Sequence, residues 1–128
     1  MRILIADDHE IIRTGIRAIL RWRADVDVVE ASNGEEAIDR ARETTPDLII
    51  LDITMPVMSG IEAARRLKKE MPQIPILILS MQEGHMMARE LAQIGVQGLV
   101  SKNDAAQKLP EAIDTLLAGG TYFRGATE

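Results

Sequence analysis

The chain has 128 residues, no cysteine and a net charge of −5, which describes one soluble domain large enough for a core of its own. The acidic balance argues against this region binding nucleic acid by itself, since that binding neutralises phosphates with a basic surface. Without cysteine there is neither a disulfide framework nor a thiolate metal site, and no apolar run approaches the ~20 residues of a membrane span.

The elements read in order. Ile3 to Asp8 (ILIADD) is an apolar strand ending in two carboxylates, reached too soon after Met1 for a signal peptide. A helix over His9 to Arg23 follows, with Ile12, Ile16, Ile19 and Leu20 on one face. Val26 to Ser32 is the second strand. The second helix opens at Asn33 with Glu36 three residues on, a capping-box arrangement, and stops before Thr45-Pro46. Leu48 to Asp52 (LIILD) is the most continuously apolar run and fits a central strand covered on both faces. A third helix after Gly60 buries Ile61, Ala64, Leu67 and Met71 and ends at Pro72. Ile74 to Ser80 is the fourth strand. A weaker helix from Gly84 to Ile94 presents Met87, Leu91 and Ile94. Gly98 to Lys102 is the fifth strand, and the last helix carries Leu109, Ala112, Ile113, Leu116 and Leu117 before Gly119-Gly120. Pro110 removes a backbone donor about one turn into it, which predicts a tightened or offset first turn.

Strand–helix alternation of this kind builds a parallel sheet between two helix layers. Right-handed crossovers leave few topologies, and order 2-1-3-4-5, the flavodoxin-like (βα)5 three-layer sandwich, is the expected one. Its switch point lies between the first and third strands. Ligands bind there, outside the carboxyl ends of the strands, so Asp7, Asp8 and Asp52 converge, with Ser80 and Lys102 closing other strands.

Each residue has an ordinary explanation. Asp8 could cap the first helix, Asp52 could sit in a turn, Ser80 could cap the next helix and Lys102 could be a solvated surface charge. Together they point elsewhere. Three carboxylates at one sheet edge raise each other's pKa unless cations offset them, and a hard divalent metal with Lys102 supplies that offset. Mg²⁺ takes one or two carboxylates, phosphate oxygens and waters at near-octahedral geometry.

ILIADDHE, LIILDITMPVMSG, ILILS and GLVSK resemble, in order and spacing, the signature regions of the receiver domains of two-component response regulators. HEIIRTGIRAIL and AIDTLLAGGTYF look most like the branch joined to a C-terminal LuxR/NarL-type helix-turn-helix domain. The resemblance implies a cytoplasmic receiver over residues 1–119 and the start of a linker over 120–128. Asp52 would accept a phosphoryl group from a phosphohistidine on a sensor kinase, without turning over a substrate of its own. Mg²⁺ would be held by Asp8 directly, Asp7 through water, Asp52, and the backbone carbonyl of Thr54. Ser80 would bond a phosphoryl oxygen, and Lys102 would pair with Asp52 and then with the phosphoryl group. A homodimer through the fourth helix, fifth strand and fifth helix is a possible partner arrangement. DNA contact is expected only through a C-terminal domain outside this sequence.

One position departs from the family. Receivers of this type usually carry Tyr or Phe three residues before the lysine; here stands Leu99, and Trp22, Tyr122 and Phe123 lie elsewhere in the sequence. That puts in doubt the coupling of phosphorylation to the helix 4–strand 5–helix 5 surface, not the chemistry. Met81, Met86 and Met87 cluster nearby, as core filling or, alternatively, as an adaptable partner surface. A haloacid-dehalogenase-like phosphatase is the rival from another class. It needs a second aspartate two residues after its nucleophile, where this chain has Thr54. A stand-alone receiver acting by protein contact is the other alternative.

Overall fold

A computed structural model describes residues 1–23, 25–81 and 85–123, with the backbone alone for 85 and 86. The strands are β1 (Arg2–Ala6), β2 (Asp27–Ala31), β3 (Leu48–Asp52), β4 (Ile76–Ser80) and β5 (Gly98–Ser101). Between and after them run α1 (Glu10–Leu20), α2 (Gly34–Thr44), α3 (Gly60–Glu70), α4 (His85–Ile94) and α5 (Ala105–Leu117). All strand pairs are parallel, in the order β2-β1-β3-β4-β5. The expected flavodoxin-like topology is therefore the observed one.

Alternation along the central strands divides the core by sheet face. Leu4, Ile49, Leu51, Ile76 and Ile78 face the layer that contains Ala37, Ala41, Ala64, Leu67 and Leu91. Ile3, Ile5, Leu48, Ile50 and Leu77 face Ile16, Leu20, Leu109, Ile113 and Leu116. The β3 residues are all buried, as a strand covered on both faces requires.

Helix ends follow local chemistry. Asn33 caps α2 by accepting from Glu36 N at 2.8 Å, but the Glu36 carboxylate reaches Ser32 N and Oγ, so the reciprocal bond of a capping box goes one residue earlier. Thr45 ends α2 in the left-handed region. Pro110 sits inside α5, and a 3-10 turn over Lys102–Asp104 precedes that helix. The proposed start of the fourth helix at Gly84 lies outside the described residues.

The chain returns to the sheet after α5. Tyr122 pairs with Gly98, Leu99 N donates to Tyr122 O at 2.9 Å, and Tyr122 N donates to Gln97 O at 2.8 Å. Tyr122 is buried among the α1–α5 face residues, and Phe123 packs against the cluster that holds Leu99. Gly98 permits this approach: a Cβ there would lie 2.6 Å from Leu77 Cδ1 and 3.2 Å from Tyr122 O. Packing thus continues through the double glycine, and the backbone of Tyr122 comes beside Leu99 while its ring enters the core on the other face of the sheet. Residues 124–128 of the expected linker lie outside the described residues.

Because Tyr122 is buried, Tyr122→Ala is expected to lower stability by about 3 kcal/mol. Urea denaturation checks this; an unchanged midpoint would mean that the segment after α5 does not hold to the domain.

Candidate functional site

Five parallel strands direct their carboxyl ends to one edge, and the residues just past them form the site. Asp7 leaves the sheet after β1, its N–H still donating to Ala31 O at 3.1 Å, and it is fully buried. Its Oδ1 accepts from His9 N at 2.9 Å and lies 2.9 Å from His9 Nδ1. Lys102 Nζ stands 3.1 Å from the buried Asp7 Oδ2 as an ion pair. Asp52 ends β3, buried, with Oδ1 3.0 Å from the same ammonium. Lys102 follows β5 directly and opens the 3-10 turn, which Ser101 caps by accepting from Asn103 N.

The loop between β3 and α3 folds back over Asp52. Gly60 N donates to Ile53 O at 2.8 Å, and a Cβ on Gly60 would lie 2.0 Å from the Asp52 carbonyl oxygen. Only glycine fits there. In the same loop Val57 takes φ 69°, a strained conformation for a β-branched residue, of the kind that collects near functional sites. Thr54 is exposed, and its backbone N–H hydrogen-bonds the Asp52 carboxylate. Ser80 is buried at the end of β4, one step beyond Leu79, which pairs with Asp52. Asp8 lies on the rim, its Oδ1 3.2 Å from His9 Nδ1.

The electrostatics are those of an under-compensated acidic cluster. Burial pushes the Asp52 carboxyl above its ordinary value, and the Asp7 charge adds to this, while Lys102 and the Thr54 N–H work against it. Burial pulls the Lys102 ammonium down, but its contacts with Asp52 and Asp7 outweigh that and raise it overall. Donor atoms of Asp7, Asp8, His9 and Asp52 lie within 4.8 Å of one another. Carboxylate oxygens from three aspartates gathered at one strand edge, with a single ammonium among them, form a donor set that suits a hard cation.

Sequence reasoning brought Asp7, Asp8, Asp52 and Lys102 to one place, and the structure joins them there. Ser80 and Thr54 lie at the same strand edge. Leu99, offered as a switch residue, is buried on the β5 face toward α3 and α4. Two contributors were missed: His9, whose signal was its place directly behind the acidic pair, and Arg13, which bonds the Asp7 carbonyl at 2.6 Å. Asp8 does not cap α1; the N-cap position is His9, with no side-chain cap. Met87 packs on the core, but Met81 is 64% exposed, so core filling does not explain it; the Met86 side chain lies outside the described residues. With Ile11 near the start of α1, 85% exposed, Met81 makes an apolar rim beside Lys102; Val57, in the loop between β3 and α3, is 76% exposed. His9, Glu10, Ile11, Ile12, Met81 and Lys102 line an open depression of about 610 Å³ on that rim.

A carboxyl whose folded pKa is raised is held protonated longer in the folded state, so stability is lost as pH rises from its ordinary value through the raised one. Asp52→Asn should therefore stabilise the metal-free protein at neutral pH, on the order of 1 kcal/mol, with the advantage shrinking in acid. Urea midpoints in chelator from pH 4 to 8 test this; a destabilised Asn variant at pH 7 would contradict it.

Residues 3–114 match the family model described as the response regulator receiver domain. The response regulator GacA of Pseudomonas viridiflava is 35% identical over 127 residues, covering 96% of this chain and 58% of that protein. The response regulator protein VraR of Staphylococcus aureus is 38% identical over 125 residues, covering 96% and 59%. The chain thus spans less than two thirds of the length of these relatives. Among solved structures, a LuxR-family two-component response regulator from Aurantimonas superposes with a TM-score of 0.90 at 37% identity, covering 97% of this chain and 89% of that one. The RcsB response regulator of Salmonella typhimurium superposes at 0.88 and 28% identity, covering 98% and 64%. An acidic cluster bridged by a lysine at the switch point, a five-stranded 2-1-3-4-5 sheet and a match spanning nearly the whole chain lead to one assignment: this chain belongs to the receiver-domain family of two-component response regulators.

Proposed function

We propose that Asp52 accepts a phosphoryl group from a phosphohistidine of a sensor histidine kinase. The observation that carries this is the Lys102 ammonium, 3.0 Å from Asp52 and 3.1 Å from Asp7 in a crevice open at the strand ends. The Asp52 oxygen attacks phosphorus, a P–O bond forms as the P–N bond breaks, and the leaving imidazole keeps the electron pair and takes a proton. Catalysis of such a transfer is positioning and charge neutralisation, and these residues offer both. Asp8, Asp7 through water, Asp52 and the Thr54 carbonyl would hold Mg²⁺, a fit supported by the oxygen donor set and by three carboxylates facing one ammonium. Bound there, the ion would supply positive charge against the carboxylates and the incoming phosphoryl oxygens. Lys102 follows the new negative charge from Asp52 to the phosphoryl group, and Ser80 bonds a phosphoryl oxygen. Thr54 stands where a phosphatase carries its general acid and offers no carboxyl at that position to turn over external substrates.

The signal leaves through the surface of α4, β5 and α5, by Ser80 and Leu99, and a homodimer through that surface is a compatible output. The likeness to a LuxR-family regulator, and relatives extending well beyond this chain's length, support an attached DNA-binding domain and control of transcription. In that arrangement residues 120–128 lead toward the linker in a cytoplasmic protein. The exposed Ile11 and Met81 beside Lys102 suit contact with a phosphoryl-donating protein.

Acetyl phosphate with Mg²⁺ should add one phosphoryl mass to the wild type and none to Asp52→Asn; full labelling of the Asn variant refutes the assignment. Lys102→Ala should still label, more slowly, yet lose phosphorylation-dependent partner binding. Leu99 offers less surface than an aromatic ring for the space Ser80 vacates, so wild type should shift its α4–β5–α5 surface less completely than Leu99→Tyr. Amide shifts and dimerisation with and without beryllofluoride decide this, and equal switching by both would make the missing aromatic irrelevant.

A further inference from the structure

The peptide unit joining Asp7 to Asp8 is gripped from outside its own loop by one side chain. Arg13, in the second turn of α1, donates from Nη1 to the Asp7 carbonyl at 2.6 Å and from Nε to Glu30 Oε1 on β2 at 2.9 Å. The second oxygen of Glu30 takes Arg17 Nη1 at 2.9 Å. The Arg13 side chain is only 17% exposed, against 56% for Arg42 in the α2–α3 ion pair with Glu70. Bonds to a charged donor of this geometry hold direction as well as distance.

We propose that Arg13, anchored by Glu30, is a positioning residue for the acidic pair. Fixing the Asp7 carbonyl fixes the plane of the peptide bond that leads into Asp8, and so the direction in which the Asp8 carboxylate leaves the backbone. Asp8 needs such help. It stands on the rim, and the His9 ring beside it is itself largely exposed. Asp7, by contrast, is held through its own N–H and both carboxylate oxygens. The inference rests on the reading that the pair holds a divalent cation.

Positioning and plain electrostatics differ in sign here. A guanidinium near a cation site repels the cation, so if charge alone mattered, removing Arg13 would tighten Mg²⁺ binding. If Arg13 aims Asp8, removing it weakens binding even though a positive charge is lost.

The experiment titrates Mg²⁺ without any phosphoryl donor and follows the amide shifts of Asp8 and His9. Arg13→Met is expected to weaken Mg²⁺ by about tenfold, the usual scale for losing a group that orients a ligand. Arg13→Lys should weaken it also, because one ammonium does not reproduce the guanidinium fork. Arg17→Met removes the same charge from the same Glu30 without touching Asp7. It should lower the urea midpoint slightly and leave Mg²⁺ affinity near wild type. Equal or tighter binding by a folded Arg13→Met overturns the proposal. If that variant does not fold, Glu30→Gln decides: weaker Mg²⁺ binding supports the anchor and unchanged binding overturns it. A wild type with no Mg²⁺ response at Asp8 sinks the metal reading and this inference together, whereas a responsive wild type matched by its variants sinks the inference alone.

Discussion

One ammonium group stands between two buried carboxylates at the open edge of the sheet, and most of the local structure follows from that arrangement. Lys102 meets Asp52 and Asp7 at nearly equal distances, and Asp8 brings a third carboxylate to the rim. One positive charge does not balance three negative ones. Burial strengthens the imbalance by removing water that would screen it, which is why the Asp52 carboxyl is pushed up. The site is held in a state that added positive charge relieves.

The fold tolerates this because the two central strands behind it, β3 and β4, are apolar up to their last residues. The β3 and β4 strands are buried throughout, and helices cover both faces, so the cost of the acidic edge is confined to the strand ends and the loops that follow them. Backbone close to Asp52 is committed in the same way. Gly60 lies on its carbonyl, Val57 accepts a left-handed conformation, and the Asp7 N–H and carbonyl are each bonded. Preorganisation of this kind lets phosphoryl transfer proceed without building the site anew each time.

Periodicity made the sheet order and the helix faces legible, because five apolar runs with helical spacing between them leave few topologies. The acidic residues and Lys102 were legible for a related reason: each sits where its run ends. The ends of the strands were less so. The first run reads through Asp8, yet β1 stops at Ala6, because Asp7 turns its carboxylate to His9 and Lys102. Contacts across large sequence separations were invisible. No pattern in the chain announces that Arg13 reaches back to Asp7 under the hold of Glu30, or that Tyr122 returns beside Gly98. Met81 shows the same limit from the other side: a methionine just past a strand end reads as core filling, and only packing shows it to be exposed.

The central physical statement is that the acidic edge lacks positive charge that a divalent cation supplies. Its most direct test is the unfolding free energy of the unphosphorylated chain in excess Mg²⁺ and in chelator, at matched ionic strength. A cation that binds only the folded state at a hundredfold excess over its Kd adds about 2.7 kcal/mol. Wild type should gain stability on that scale, and Asp8→Ala should gain almost none. Equal stability of the wild type with and without Mg²⁺ would contradict it.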